Sequence, residues 1–309
     1  MTQNHPEPSI AARELVRGAY DLHVHLAPDV MDRRIDDLGL AGQFLDRGLA
    51  GFVLKSHYVP TAERAGVVRS AVPGVDALGA ITLNASVGGL NPIAIEIAAR
   101  EGARFVWLPT VDSRNQRESR ATAPADATPP MWQQIQDELT AQGIVSAAVD
   151  VVGDDGAPTG QLREVLRVIA QHDLVLATGH LSRDEIFTVV DAAVEARVHR
   201  IVVTHPEFTS QRISPDDQRE LARRGAYLER CFTTPHTGKC TWEEVFAGVR
   251  AAGPAQSFLS SDLGQPFNPP VEDGLALSAD QFLEAGFTED EVHTMAVVNT
   301  RALAAGAET

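Results

Sequence analysis

Ala19-Tyr20-Asp21-Leu22-His23-Val24-His25-Leu26-Ala27-Pro28-Asp29 is the stretch on which the reading of this chain turns. Its first seven residues have the pattern of a short apolar strand ending on two histidines. Alternate side chains of a strand point the same way, so His23 and His25 project together from the strand end, as ligands of a shared ion must. Asp21, just before them, reads as structural. The four residues that follow bear on the architecture. An open dinucleotide-binding sheet carries a glycine-rich phosphate loop at this point. Leu26-Ala27-Pro28-Asp29 is not such a loop.

The switch between a strand period and a helix period recurs along the chain. Short apolar and β-branched runs predict strands near 20–26, 51–55, 77–84, 104–109, 174–178, 200–204, 226–230 and 257–261. Amphipathic stretches predict helices near 36–48, 61–71, 91–102, 130–142, 160–171, 182–196, 215–224 and 242–252, with two more before the C-terminus. A further strand-like stretch, 144–152, precedes the turn Gly153-Asp154-Asp155-Gly156. Eight strand–helix units predict an α/β fold, a parallel (β/α)8 TIM barrel with its reactive groups at the C-terminal ends of the strands. Three more strands end on metal-capable side chains: His180 after Leu174–Gly179, His205 after Ile201–Thr204 and Asp262 after Ser257–Ser261. On a barrel these residues share one face with His23 and His25, and imidazole with carboxylate is the donor set of borderline metals.

Residues 1–309 read as a single domain in which 1–15 is an N-terminal extension. The polar, aperiodic segment 111–129 lies on the ligand face and reads as a solvated loop or an active-site loop. Residues 263–275 form a second loop over that face. A hydrophobic content of 44% suffices for a sizeable core. The net charge of −16 repels a phosphate backbone and argues against a nucleic-acid partner. No apolar run is long enough for a membrane span. Met1 to Glu7 has no apolar h-region, and Cys231 and Cys240 are the only cysteines. The expectation is a reduced, cytoplasmic protein without a disulfide framework.

Asp21-Leu22-His23-Val24-His25, Thr178-Gly179-His180-Leu181-Ser182, Val203-Thr204-His205-Pro206-Glu207-Phe208 and Ser260-Ser261-Asp262-Leu263-Gly264, in this order, resemble the amidohydrolase superfamily of metal-dependent hydrolases. The closing stretch Val297-Val298-Asn299-Thr300-Arg301-Ala302-Leu303 is similar to the Asn-containing end of many members. The resemblance implies that His23, His25 and Asp262 hold one divalent ion and that His180 and His205 hold a second. Zn2+ is the first expectation, with Mn2+ or Fe2+ as alternatives, in one or two ions per chain. Asp262 is the implied general base, and a bound ion would bring the pKa of its water to about 7. Assembly into a homo-oligomer is a further expectation of the resemblance.

One departure stands out. Many two-metal members bridge their ions with a carboxylated lysine after strand 4, where this chain has Phe105-Val106-Trp107-Leu108-Pro109-Thr110. The notable lysine here is Lys55, ending strand 2. It reads as a carbamate bridge from a different strand, a cationic substrate anchor or a snorkelling surface lysine. His57, two residues on, is a further ligand or a substrate contact. Arg230, ending strand 7, can clamp a carboxylate or phosphate bidentately, or pair with an acid such as Glu207. Arg34, with Arg33 and Arg64, is a similar anion-binding group, and Trp107, Asn84 and Gln265 are placed in the pocket lining. The expected activity is hydrolysis of an amide, cyclic amide or ester bond (lactones included) in a small, anionic molecule. A one-metal decarboxylase, a phosphoesterase and a non-enzymatic binding protein are the alternatives. A carbamate at Lys55 favours two metals and hydrolysis; a free ammonium leaves decarboxylation or lactone opening.

Overall fold

The computed structural model describes residues 5–122 and 130–305. Along the chain run α1 (Ile10–Leu15), β1 (Tyr20–Val24), α2 (Asp37–Arg47), β2 (Gly51–Leu54), α3 (Ala62–Ala71), β3 (Asp76–Thr82), α4 (Pro92–Arg100) and β4 (Ala103–Trp107). Next come α5 (Arg114–Ala121), α6 (Met131–Ala141), α7 (Gly160–Gln171), β5 (Val175–Ala177), α8 (Arg183–Glu195), β6 (Arg200–Val203), α9 (Pro215–Arg223) and β7 (Tyr227–Cys231). The last part holds α10 (Thr233–His236), α11 (Trp242–Ala252), β8 (Ser257–Ser260), α12 (Gly274–Glu284), α13 (Glu289–His293) and α14 (Asn299–Ala304).

Each strand pairs in parallel with the next in chain order, β1 through β8. Beyond β8 a single parallel bridge, Val24 to Leu263, joins the ends of the sheet. It is flanked by His25 N–H donating to the Leu263 carbonyl at 2.8 Å and Asp262 N–H donating to the His23 carbonyl at 2.9 Å. All eight expected strands are present, and the expected (β/α)8 barrel is the fold.

Side-chain alternation sorts the apolar residues of each strand into two layers. Leu22, Val53, Leu78, Phe105, Val175, Val202 and Phe258 form the barrel interior, where Leu303 and Ala304 of α14 join them. The opposite faces pack on the helices: Phe52 and Leu54 against Phe44 of α2, Val106 and Leu176 against Ile95 of α4 and Leu162 of α7. Asn299, in the stretch similar to the superfamily's Asn-containing end, donates to the carbonyls of Pro254 and Ser257 at 2.9 and 2.7 Å, which fixes the entry to β8. The N-terminal segment is docked as well. Ser9 caps α1 and bonds the Asp280 carboxylate of α12, and Ala12 is fully buried.

Two local expectations fail. The stretch 144–152 is not a strand; it makes only isolated bridges, Val149 to Ser113 and Val152 to Pro158. In a nearly closed ring β4 is already paired on one side with β3 and on the other with β5, so no backbone edge remains for it. The segment 111–129 is not a loop throughout, because 114–121 form α5, with the Ser113 hydroxyl accepting from Gln116 N–H. Arg-Asn-Gln-Arg-Glu-Ser-Arg-Ala has no apolar stripe, so periodicity is silent there. Residues 123–129 lie outside the described residues.

The junction after β8 depends on Gly264. Its φ of +131° is outside the range of other residues, and a Cβ there would sit 1.7 Å from the His25 carbonyl oxygen. Gly264→Ala is expected to cost about 2–5 kcal/mol from strain and overpacking together. A urea melt measures it. An unchanged midpoint would mean that the loop reorganises freely.

Candidate metal centre and its cavity

The strand ends place His25, Lys55, His180, His205 and Asp262 on one cavity of about 400 Å³ at the C-terminal mouth of the barrel. His57 lines it too. His23 is fully buried beside them, its ring 5.4 Å from that of His25 and 6.2 Å from that of His205. Asp262 Oδ1 lies 3.1 Å from His23 Nε2 and 3.2 Å from His25 Nε2. Lys55 Nζ lies 2.8 Å from the same His23 Nε2. The six residues assigned to metal from the sequence are thus brought together.

A second layer fixes the rings. Nδ1 of His23 meets Glu229 Oε1 at 2.9 Å, Nδ1 of His180 meets Gln116 Oε1 at 2.9 Å and Nδ1 of His205 meets Gln211 Oε1 at 2.7 Å. Nδ1 of His57 meets the Thr110 hydroxyl at 2.9 Å. An acceptor at Nδ1 selects the tautomer whose lone pair is on Nε2, which is how ligating histidines are held. Gln116 and Glu229 were not legible as site residues, since each acts through a histidine on another segment; Gln211, six residues after His205 in the same loop, was missed because loop conformation leaves no periodic signal.

Burial dominates the electrostatics. It pushes His25 down to about 3, aided by the Arg33 charge, and His205 down to about 4. His57 and His180 are held well below the usual imidazole range by the same desolvation. These four rings are neutral at neutral pH, the form that ligates a metal. His23 differs: burial and Lys55 oppose its charge, but Asp262 and Glu229 outweigh them and raise it to about 9. Burial lowers the pKa of Lys55 against the pull of Asp262 and Glu229, and its Nζ stays within 2.8 Å of His23 Nε2. Burial opposes the charge on Asp262 too, yet His23 and His25 hold the carboxyl well below its ordinary value.

These groups fit a divalent cation. Nε2 of His23, Nε2 of His25 and Oδ1 of Asp262 lie within 4.8 Å of one another, three atoms that can each offer a lone pair once the imidazole nitrogens give up their protons. A proton satisfies one such contact; an ion satisfies several. The backbone is strained for the arrangement. Asp262 and His205 have φ of 52° and 26°, a region that ordinary residues avoid. Asp21, buried beneath, accepts from the N–H groups of Ser261 and His23 and so ties β1 to the end of β8.

Three expected substrate contacts sit elsewhere. Arg230 is buried away from the cavity, paired with Glu207 and bonded to Gln218 Oε1 at 2.6 Å and Ser257 Oγ at 3.1 Å. It alternates with Glu229, and Glu229 is the residue that faces the ligands. Trp107 is buried under the site, its ring 5.5 Å from His23 and 5.1 Å from Lys55 Nζ, so it is part of the floor's support. Arg34 donates to the carbonyls of Pro266 and Asn268 and joins two loops, whereas its neighbour Arg33 lines the cavity. Arg64 caps the carbonyls of Ala27 and Pro28, and Asn84 bonds Thr110 and the His57 carbonyl. Gln265 does line the cavity.

This barrel, with its histidines, Lys55 and Asp262 at the strand ends, shares the fold of solved amidohydrolases. It is similar to a solved amidohydrolase from Pseudomonas aeruginosa (10% identity, 95% of this chain and 97% of that one, TM-score 0.59). It is also similar to the probable dipeptidase PvdM of the same organism (11% identity, 95% and 96% covered, TM-score 0.60). A probable 2-pyrone-4,6-dicarboxylic acid hydrolase from Acinetobacter baumannii aligns over 93% of this chain and 99% of its own, with 10% identity and a TM-score of 0.55. In sequence, residues 18–229 match the model of a family of unknown function, DUF6282, and the chain belongs to that family. The matched region contains the five histidines and Lys55 but stops before Asp262. Among curated proteins no match is found. Among the described residues no helix is long and apolar enough to cross a membrane.

Proposed function

We propose that this chain is a metal-dependent hydrolase that cleaves an amide, cyclic amide or ester bond of a small anionic molecule in the barrel-mouth cavity. One observation carries the reading: the Asp262 carboxylate, on the wall of a cavity that also holds Lys55, His180 and His205, sits at 3.1 and 3.2 Å from Nε2 of His23 and of His25. His23, His25 and Asp262 would hold one ion, His180 and His205 another. A bound divalent ion, Zn2+ in the first place, supplies Lewis acidity and a water of lowered pKa. Asp262, ionised and at the cavity wall, is placed to take a proton from water on its carboxylate and return it to the leaving group. Burial lowers the pKa of Lys55, the direction that favours the free amine, which would take up CO2 with loss of a proton to give a carbamate.

A one-ion enzyme, such as a decarboxylase, is favoured by a different observation. Among the described residues His23, His25 and Asp262 are the ligand group at the cavity whose donor atoms lie within 4.8 Å; His180 and His205 complete no such group. Elemental analysis of protein purified without chelator, for wild type and Lys55→Ala, separates the two. Two ions per wild-type chain, falling to one or fewer in the variant, supports the bridged pair. One ion in both removes Lys55 from the metal site. Wild type that binds no ion and hydrolyses no aryl ester or lactone overturns the proposal.

A further inference from the structure

The chain has two lysines, Lys55 and Lys239, among 26 basic residues that are otherwise arginine. Both line the same cavity. Lys55 is engaged with His23. Lys239, in the loop after α10, has its backbone N–H on the Thr234 carbonyl at 3.0 Å, which fixes the stem at the cavity wall. Its Nζ lies 5.3 Å from the centre of the Phe208 ring, and among the described residues it forms no ion pair or hydrogen bond. Arg33, the other cation on the wall, is paired with Asp29 at 2.6 Å, both side chains almost wholly buried. The neighbouring hydroxyls have used their protons: Thr233 Oγ1 donates to the Ser261 carbonyl and Thr237 Oγ1 to the Thr233 carbonyl. Phe208 lies under Lys239, and Met31 and Trp132 add apolar surface to the same cavity wall.

We propose that Lys239 determines specificity by holding the carboxylate of a small molecule whose ring-sized apolar body lies against Phe208, Met31 and Trp132. This names a substrate class for the hydrolase reading and rests on it. A half-buried ammonium without an ion-pair partner gains most from an anion that shares its desolvated wall, and a lysine above an aromatic face is already oriented for one. Burial lowers the pKa of Lys239, and Asp262 is the acid whose charge opposes that effect. A single free cation matches one carboxylate, whereas a phosphate dianion asks for more positive charge than these residues offer.

The test is titration calorimetry of benzoate, and of benzyl alcohol as its neutral counterpart, into the full-length protein as purified. Wild type, Lys239→Met and Lys239→Gln are compared, with metal content and melting temperature recorded on each sample. Wild type is expected to prefer benzoate, and both variants to lose roughly ten- to hundredfold in benzoate affinity with benzyl alcohol unchanged. Folded variants that bind benzoate as wild type does would overturn the proposal. So would a wild type that ignores benzoate or binds benzyl alcohol equally well. An ion-free protein that still shows the benzoate contrast sinks the hydrolase reading alone; a metal-loaded protein without the contrast sinks this one alone.

Discussion

Asp262→Asn is expected to lower the proposed hydrolysis by roughly 10²–10⁴-fold and to leave the barrel folded. The amide has the shape of the carboxylate, and asparagine tolerates the left-handed backbone at 262, so no cavity or new strain arises. What disappears is the charge that faces His23 Nε2 and His25 Nε2, and with it the proposed ion ligand and proton acceptor. The range given is that of a lost general base. Steady-state kinetics on the best ester or lactone substrate, with ion content measured in parallel, gives the answer. Activity within tenfold of wild type would remove Asp262 from the chemistry.

Glu207→Ala is the largest expected stability loss, about 3–5 kcal/mol, because it strands a buried guanidinium. Arg230 is 1% exposed, and Glu207 is its only carboxylate partner among the described residues. The space is closed on the other side by Gly248 of α11, where even a Cβ would come within 2.7 Å of both Arg230 Nη1 and Glu207 Oε1. The charge has neither room to leave nor water to reach it. Urea denaturation measures the loss, and replacing Arg230 by Met in the same chain is expected to recover part of it. A loss below about 1 kcal/mol would put Arg230 among surface ion pairs and reopen it as a substrate group.

The residues that end strands were readable one by one because the barrel sends every strand end to the same mouth. His23, His25, Lys55, His180, His205 and Asp262 needed only a local pattern plus the fold. Gln116 was hidden for two reasons: α5 is polar on every side, and its histidine lies 64 positions away. Arg230 and Glu229 show the limit of alternation. It separates the two faces of β7 without saying which one meets the cavity. Arg33 and Arg34 differ by a loop conformation that no periodicity encodes. Lys239 did leave a signal, the scarcity of lysine in an arginine-rich chain, though its loop conformation is set by tertiary contacts.

The bridge between Val24 and Leu263 joins residues from opposite ends of the chain, with His23 and His25 on one side and Asp262 on the other. During synthesis the histidine pair leaves the ribosome with most of the protein still to be made, and a carboxylate for it arrives only with the last strand. On the proposed metal-centre reading, tight ion binding is therefore a late event in the life of the chain, and a cation acquired there would reward only molecules whose ring has shut. Fragments ending before β8 would carry two exposed imidazoles and no selective site. Metal retention would be, for this barrel, a report on whether the first and last strands have found each other.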